Sequence, residues 1–208
     1  MAEVIRRLEE YYPDSACALQ SDSDAFRLLV MAILSAQCTD ARVNKISPAL
    51  FARFPDACSM ASGEVSEIEE LIRTCGLYRA KAKNLSLCAK RLTEVYGGNV
   101  PSEMEDLLSL AGVGRKVANL IRGDVFGLGG IVADTHCIRI TNLLGFCDTK
   151  DPKKVEFALD TIVPKDKQSD FCHRLVQYGR DVCIARRPQC ENCVLNDICK
   201  SAQCASAK

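Results

Sequence analysis

Arg115 and Lys116 come directly after Gly112-Val113-Gly114. They lie between an apolar turn, Leu107 to Ala111, and a second amphipathic stretch that runs on through Val117, Ala118, Leu120 and Ile121. Two glycines around one apolar residue make a hairpin whose backbone can approach a partner closely, because no Cβ stands in the way. The first N–H groups of the helix that follows have no intrahelical partner, and with two cations beside them they suit a phosphate. Val113 is placed to plug back between the two helices. Such a helix-hairpin-helix grips a nucleic-acid backbone without reading its bases. The same residues also fit a plain tight turn, with Lys116 a solvated lysine.

A second constellation lies near the C-terminus. Cys183, Cys190, Cys193 and Cys199 follow the pattern C-x6-C-x2-C-x5-C. Four thiolates that close in sequence can wrap a single metal centre. Zinc sites usually come as two close pairs with a longer spacer, whereas a four-cysteine iron–sulfur cluster accepts a compact run, although not in the ferredoxin spacing. The pattern favours iron–sulfur and leaves zinc open. Arg180, Arg186 and Arg187 crowd the loop, so it can also face an anion. The other nine of the 13 cysteines (Cys17, Cys38, Cys58, Cys75, Cys88, Cys137, Cys147, Cys172 and Cys204) are scattered singly and are expected as small core residues.

The elements that must position these groups are helical throughout. A short charged helix is expected over residues 3–11. Asp22-Ser23-Asp24 can cap a buried helix from Ala25 to about Gln37. Thr39-Asp40 can start the next, with Val43, Ile46, Leu50 and Phe54 on one face and a kink at Pro48. Ser66 with Glu69 reads as a capping box, its helix closing at Gly76, and Ser102 with Glu105 as another. Between them a helix from Arg79 to Tyr96 buries Leu85, Cys88, Leu92 and Val95. The hairpin's second helix runs from Arg115 to about Phe126. Beyond a Gly127–Gly130 breaker, Asp134-Thr135 can cap a helix that ends at Gly145. Asp151-Pro152 opens one to Val163, and residues 168–182 make the last. No alternating strand pattern occurs, so the fold class is all-α.

Composition permits this reading without demanding it. The chain has 208 residues, 48% hydrophobic and 26% charged, as an ordinary globular protein has. Its longest apolar run, Leu28 to Leu34, is far too short to span a bilayer. No apolar core follows Arg6-Arg7, so a signal peptide is not expected and the chain is placed in the cytosol. Net charge is zero, but it is segregated. Residues 71–96 hold Arg73, Arg79, Lys81, Lys83, Lys90 and Arg91 against Glu94 alone, while residues 54–70 hold five acids and no base. A basic face can therefore coexist with an acidic back.

The hairpin, the Val132-Ala133-Asp134-Thr135-His136 stretch and the four-cysteine loop together resemble the endonuclease III family of helix-hairpin-helix DNA glycosylases. The resemblance runs from Leu29 through Ser35-Ala36-Gln37-Cys38-Thr39-Asp40 to Cys199. It implies two helical lobes with DNA in the cleft between them. Residues 19–128 would form a six-helix barrel with the hairpin. Residues 1–18 and 129–208 would form a lobe carrying a [4Fe-4S] cluster on Cys183, Cys190, Cys193 and Cys199, within the loop 183–199. Lys116 falls on the family's nucleophilic lysine and Asp134 on its catalytic aspartate. Gln37 matches a residue that fills the gap left by an extruded nucleotide, and Leu77 a wedge that enters the duplex. DNA contacts are expected from Gln37, Leu77, Arg79, Lys81, Gly112, Val113, Gly114 and Arg115.

The implied activity is a bifunctional glycosylase and abasic-site lyase acting on duplex DNA with oxidised pyrimidines or abasic sites, as a nucleoid-associated monomer. Residue chemistry agrees. A stacked base must be rotated out before its glycosidic bond can be attacked. An uncharged amine can then displace it and leave a Schiff base. A free lysine with a pKa of roughly 10.4 is under about 0.1% neutral at pH 7, so the proton must be lost in the site. Asp134 can assist, although Asp-Thr before an apolar helix is also a good N-cap. His136 and Tyr78 are possible pocket residues without an assigned role. A mismatch adenine glycosylase would lack a lysine at position 116 and usually carries a further C-terminal domain. A non-catalytic DNA-binding protein would have no use for Lys116 with Asp134.

Overall fold

The computed structural model describes residues 1–206, with side chains through Gln203. Among these residues the chain forms twelve α-helices and no strand, and no helix is long and apolar enough to cross a membrane. Two compact units result: Ala18–Phe126, and Met1–Cys17 joined to the chain from Gly127 onward.

The first unit is built around α2 (Ala25–Leu34), whose residues from Phe26 onward are buried apart from Arg27. Asp24 caps it through Arg27 N at 2.8 Å. The helix stops three residues before the expected Gln37, because Ser35 turns the chain and Gln37 adopts a left-handed φ of 54°. After it, α3 (Asp40–Arg53) is capped by Thr39 and runs through Pro48, burying Val43, Leu50 and Phe54. The short α4 (Ala57–Ser62) has a capping box between Asp56 and Ser59.

Neither expected box forms. The helix α5 (Val65–Leu71) begins with Glu64 as its cap, so Ser66 lies inside it, and it ends at Ile72 well before Gly76. Likewise α7 (Met104–Leu108) starts from Glu103, with Ser102 outside. In both places the apolar residues that must reach the core, Ile68 and Leu107, fix where the short helix begins, and the side-chain cap is forgone. Between them, α6 (Tyr78–Tyr96) buries Leu85, Cys88 and Leu92, but Val95 is exposed. It packs closely with α4 and α5 and ends at Gly97, with a φ of 61°. The unit closes with α8 (Arg115–Asp124), which packs on α7 and α2.

In the second unit α1 (Ala2–Tyr11) buries Val4, Ile5 and Leu8 and packs on α11 (Gln168–Asp181). Arg174 of α11, itself buried, donates to Tyr12 O at 3.1 Å. Against α11 also lies α9 (Thr135–Leu144), and between them in sequence is α10 (Pro152–Asp160), capped by Asp151 and ending three residues before Val163. A last helix, α12 (Lys200–Ser206), follows the cysteine loop. Of the nine scattered cysteines, Cys75, Cys88, Cys137 and Cys172 are buried as core residues. Cys17, Cys38 and Cys147 are only half-buried, and Cys58 is exposed; the side chain of Cys204 lies outside the described residues.

Candidate functional site

The hairpin between α7 and α8 is set by two different glycines. Gly112 has a φ of 82°, in the left-handed region, and a Cβ there would lie 3.1 Å from Asn84 Cβ and 3.2 Å from Ile33 Cγ2. Position 112 therefore needs glycine twice over, for its backbone and for its neighbours. Gly114 has neither constraint: nothing lies within 4 Å of its missing Cβ, and its φ is −103°. Between them Val113 is 8% exposed and its amide donates to Leu110 O at 3.1 Å, which makes it the plug that closes the turn. No side chain caps α8. Arg115 is half-buried, and Lys116 is exposed in the helix's first turn.

Two further strained positions sit side by side in the same unit. Gln37 and Leu77 both hold left-handed backbone, at φ 54° and 58°. For residues with a Cβ this costs about 1–2 kcal/mol each, so the surrounding structure must impose it. Both side chains are exposed, Leu77 at 63%. Their loops touch: a Cβ at Gly76 would lie 3.3 Å from Gln37 O. An apolar side chain held out in solvent on a strained backbone is well placed to enter a partner.

The basic segment needs one correction. Lys81 was expected at the DNA surface, but it is 5% exposed, and its Nζ donates to Leu34 O at 2.8 Å. It holds the last carbonyl of α2, next to the Gln37 loop, and presents no charge to solvent. Burial follows from its register, since Lys81 lies four residues before Leu85 on the inner stripe of α6. Arg73, Arg79, Lys83, Lys90 and Arg91 are exposed. The Arg79 guanidinium lies over the Tyr78 ring at 5.1 Å.

In the second unit Asp134 is the N-cap of α9, with Oδ1 accepting from Cys137 N at 2.8 Å. The cap engages one carboxylate oxygen. His136 packs against α11 so closely that a Cβ at Gly179 would fall 2.3 Å from its Nδ1. Glycine at 179 is thus what lets α9 and α11 meet.

The four cysteines sit on a loop made of turns, with single 3-10 turns at Cys190–Asn192 and Asn196–Ile198. Within residues 183–199 Leu195 is the one buried side chain, so the segment has almost no apolar core. It is tied down from outside. Arg7 of α1 donates to Val194 O at 2.7 Å and pairs with Asp197. Arg139 of α9 donates to Cys183 Sγ at 3.3 Å, Tyr178 of α11 bonds Cys193 Sγ at 2.6 Å, and the Cys199 thiol donates to Leu143 O at 3.6 Å. Burial pushes the Cys183 thiol up from its ordinary range, and Arg139 pulls it back toward thiolate. Four sulfurs, one supported by a guanidinium, around a loop without a core fit an iron–sulfur cluster. Arg139 and Tyr178 were not anticipated from sequence, since neither lies within the cysteine run.

Comparison with known proteins bears on all of these sites. Residues 30–165 match the family described as HhH-GPD superfamily base excision DNA repair protein. Residues 183–199 match the iron–sulfur binding domain of endonuclease III. An endonuclease III from Synechocystis sp. is 44% identical over 202 residues, covering 97% of this chain and 92% of that one. A non-covalent endonuclease III–DNA complex superposes with a TM-score of 0.91 at 37% identity, over 100% of this chain and 97% of that one. A trapped endonuclease III–DNA covalent intermediate gives 0.90 at 37% identity, over 97% and 95%.

Proposed function

Because the chain belongs to the endonuclease III family of HhH-GPD base excision repair proteins, we propose that it excises oxidised pyrimidines from duplex DNA through a Schiff base on Lys116 and then cuts the strand. Family membership makes it a base excision DNA glycosylase with an iron–sulfur cluster; the substrate class, the lyase step and the residue roles are the proposal. The observation that carries it is the place of Lys116, exposed in the first turn of a helix that no side chain caps, directly after the Gly112–Gly114 hairpin. A relative trapped as a covalent intermediate with DNA supports a covalent route.

The deprotonated Lys116 amine attacks C1′, and the damaged base leaves with the electron pair of its glycosidic bond and takes up a proton. The attached nitrogen gives up a proton, and its lone pair then breaks the C1′–O4′ bond. O4′ takes up a proton, which leaves the opened sugar held to Lys116 as a Schiff base. Removal of a C2′ proton then expels the 3′ phosphate by β-elimination. Asp134 stabilises the positive charge that builds on the sugar and assists proton movement, with the oxygen its cap leaves over. Gln37 fills the space of the extruded nucleotide and Leu77 wedges the duplex. The backbone of Gly112, Val113 and Gly114, with Arg115 and Arg79, holds phosphates. When bound, the [4Fe-4S] cluster supplies iron–sulfur bonds that hold the loop together; Cys183, Cys190, Cys193 and Cys199 would be its ligands. The protein acts as a monomer in the cytoplasm, on nucleoid DNA.

The test is strand cleavage by Lys116→Gln on duplex DNA with one abasic site. The variant is expected to bind that DNA and leave it uncut. Cleavage at the normal rate would assign the amine elsewhere.

A further inference from the structure

The loops that carry Gln37 and Leu77 are joined by two thiols. Cys38 follows Gln37, Cys75 lies two residues before Leu77, and their sulfurs are 3.7 Å apart. Both are free, Cys38 half-buried and reached by solvent, Cys75 only 2% exposed. Their neighbours are cationic, since the charges of Lys81 and Arg42 act on Cys75. Nothing in the base excision chemistry uses either sulfur. Two cysteines 37 positions apart, brought into van der Waals contact at the tips of two adjoining strained loops, make a dithiol site.

We propose that Cys38 and Cys75 are a reversible oxidation site at which a hydroperoxide forms a disulfide that staples the two insertion loops together. Cys38, the accessible one, attacks the peroxide's O–O bond as thiolate. Its sulfur takes one oxygen to become a sulfenic acid, and the other oxygen leaves as an alcohol or as water. The Cys75 sulfur then displaces that hydroxyl: the S–S bond forms, the S–O bond breaks, and the Cys75 proton leaves with the hydroxide as water. Two thiols are oxidised by two electrons and one peroxide is reduced by two. Burial of Cys75, whose thiol is pushed up to about 11, suits the second role, because a buried thiol is not itself attacked from solvent.

Closure must move the sulfurs from 3.7 Å to the ~2.05 Å of a disulfide. Side-chain rotation and movement of the two loops share that approach of roughly 1.6 Å, and a misplacement of about 1 Å at a positioning residue can cost about 100-fold in rate. The oxidised protein is therefore expected to excise slowly, and a dithiol reductant restores it. The rate effect rests on the insertion roles proposed above for Gln37 and Leu77; the disulfide does not.

The experiment treats the full-length protein, cluster in place, with a small excess of tert-butyl hydroperoxide. Free thiols are then alkylated and the protein is digested without reduction. A peptide linking Cys38 to Cys75 is expected, together with a roughly 100-fold fall in single-turnover excision that dithiothreitol reverses. Cys38→Ser and Cys75→Ala are each expected to lack the reversible fall, while any bleaching of the cluster is common to all three proteins. No linked peptide, or the same reversible fall in both variants, overturns the site. A linked peptide with unchanged excision upholds the site and contradicts the displacement of the insertion loops.

Discussion

The two hairpin glycines are expected to fail in opposite ways. Gly112→Ala places a Cβ at a φ of 82° and within 3.1–3.3 Å of Asn84 and Ile33. Left-handed backbone costs an alanine about 1–2 kcal/mol, and overpacking against a buried neighbour adds about 1–3 kcal/mol. The stiffer unfolded chain returns about 0.4–1 kcal/mol. The expected net loss of stability is about 1–4.5 kcal/mol on these terms. Gly114→Ala meets nothing within 4 Å and sits in extended backbone. Losing glycine at an N-cap costs roughly 0.5 kcal/mol, which the unfolded-state gain of similar size offsets. Its stability should stay within about 0.5 kcal/mol of the parent.

Affinity for DNA should show the reverse pattern for Gly114. A methyl in front of the first turn of α8 keeps a phosphate from the backbone N–H groups. Loss of one charge-assisted hydrogen bond is worth about 1.5–3 kcal/mol, or roughly 10- to 100-fold in Kd. Urea unfolding followed by circular dichroism gives the stabilities, and fluorescence anisotropy on an abasic duplex gives the affinities. Gly114→Ala with full affinity, or Gly112→Ala with unchanged stability, would refute this division of labour.

Lys81→Met should cost about 1–2 kcal/mol of stability by leaving Leu34 O unpartnered, and should leave the salt dependence of DNA affinity alone. Arg79→Ala should instead flatten the slope of log affinity against log salt by about one unit with stability unchanged. Asp134→Asn keeps a good N-cap, so its melting curve should match the parent within about 0.5 kcal/mol while base excision falls at least ~100-fold; equal activity would make Asp134 a cap alone. Cys193→Ser should lose iron and loosen the 183–199 loop to protease before it alters the first unit, because that loop buries Leu195 and nothing else.

What could be read in the sequence was what is encoded locally. Asp24, Thr39, Asp134 and Asp151 all cap helices where a short polar side chain precedes an apolar run. The hairpin was visible because a left-handed turn leaves glycine little competition. The expected helix ends at Gln37 and Val163 are too long: α2 stops at Leu34, just before the left-handed turn at Gln37, and α10 stops at Asp160 although Ile162 and Val163 carry the apolar pattern on. Lys81 carried a signal that its charge obscured: it shares the stripe of Leu85, Cys88 and Leu92, which places it inward. The contact of Cys38 with Cys75, and the reach of Arg139 and Tyr178 to the cysteine loop, join distant segments and have no local signature at all.

The central claim is that Lys116 forms the covalent bond to DNA. Borohydride trapping on duplex DNA holding one oxidised pyrimidine, followed by digestion and peptide mass mapping, tests it most directly. The expected result is a single reduced adduct on the peptide that contains Lys116, with none from a folded Lys116→Gln protein. An adduct on any other residue, or base release by the parent protein with no adduct formed, would contradict it.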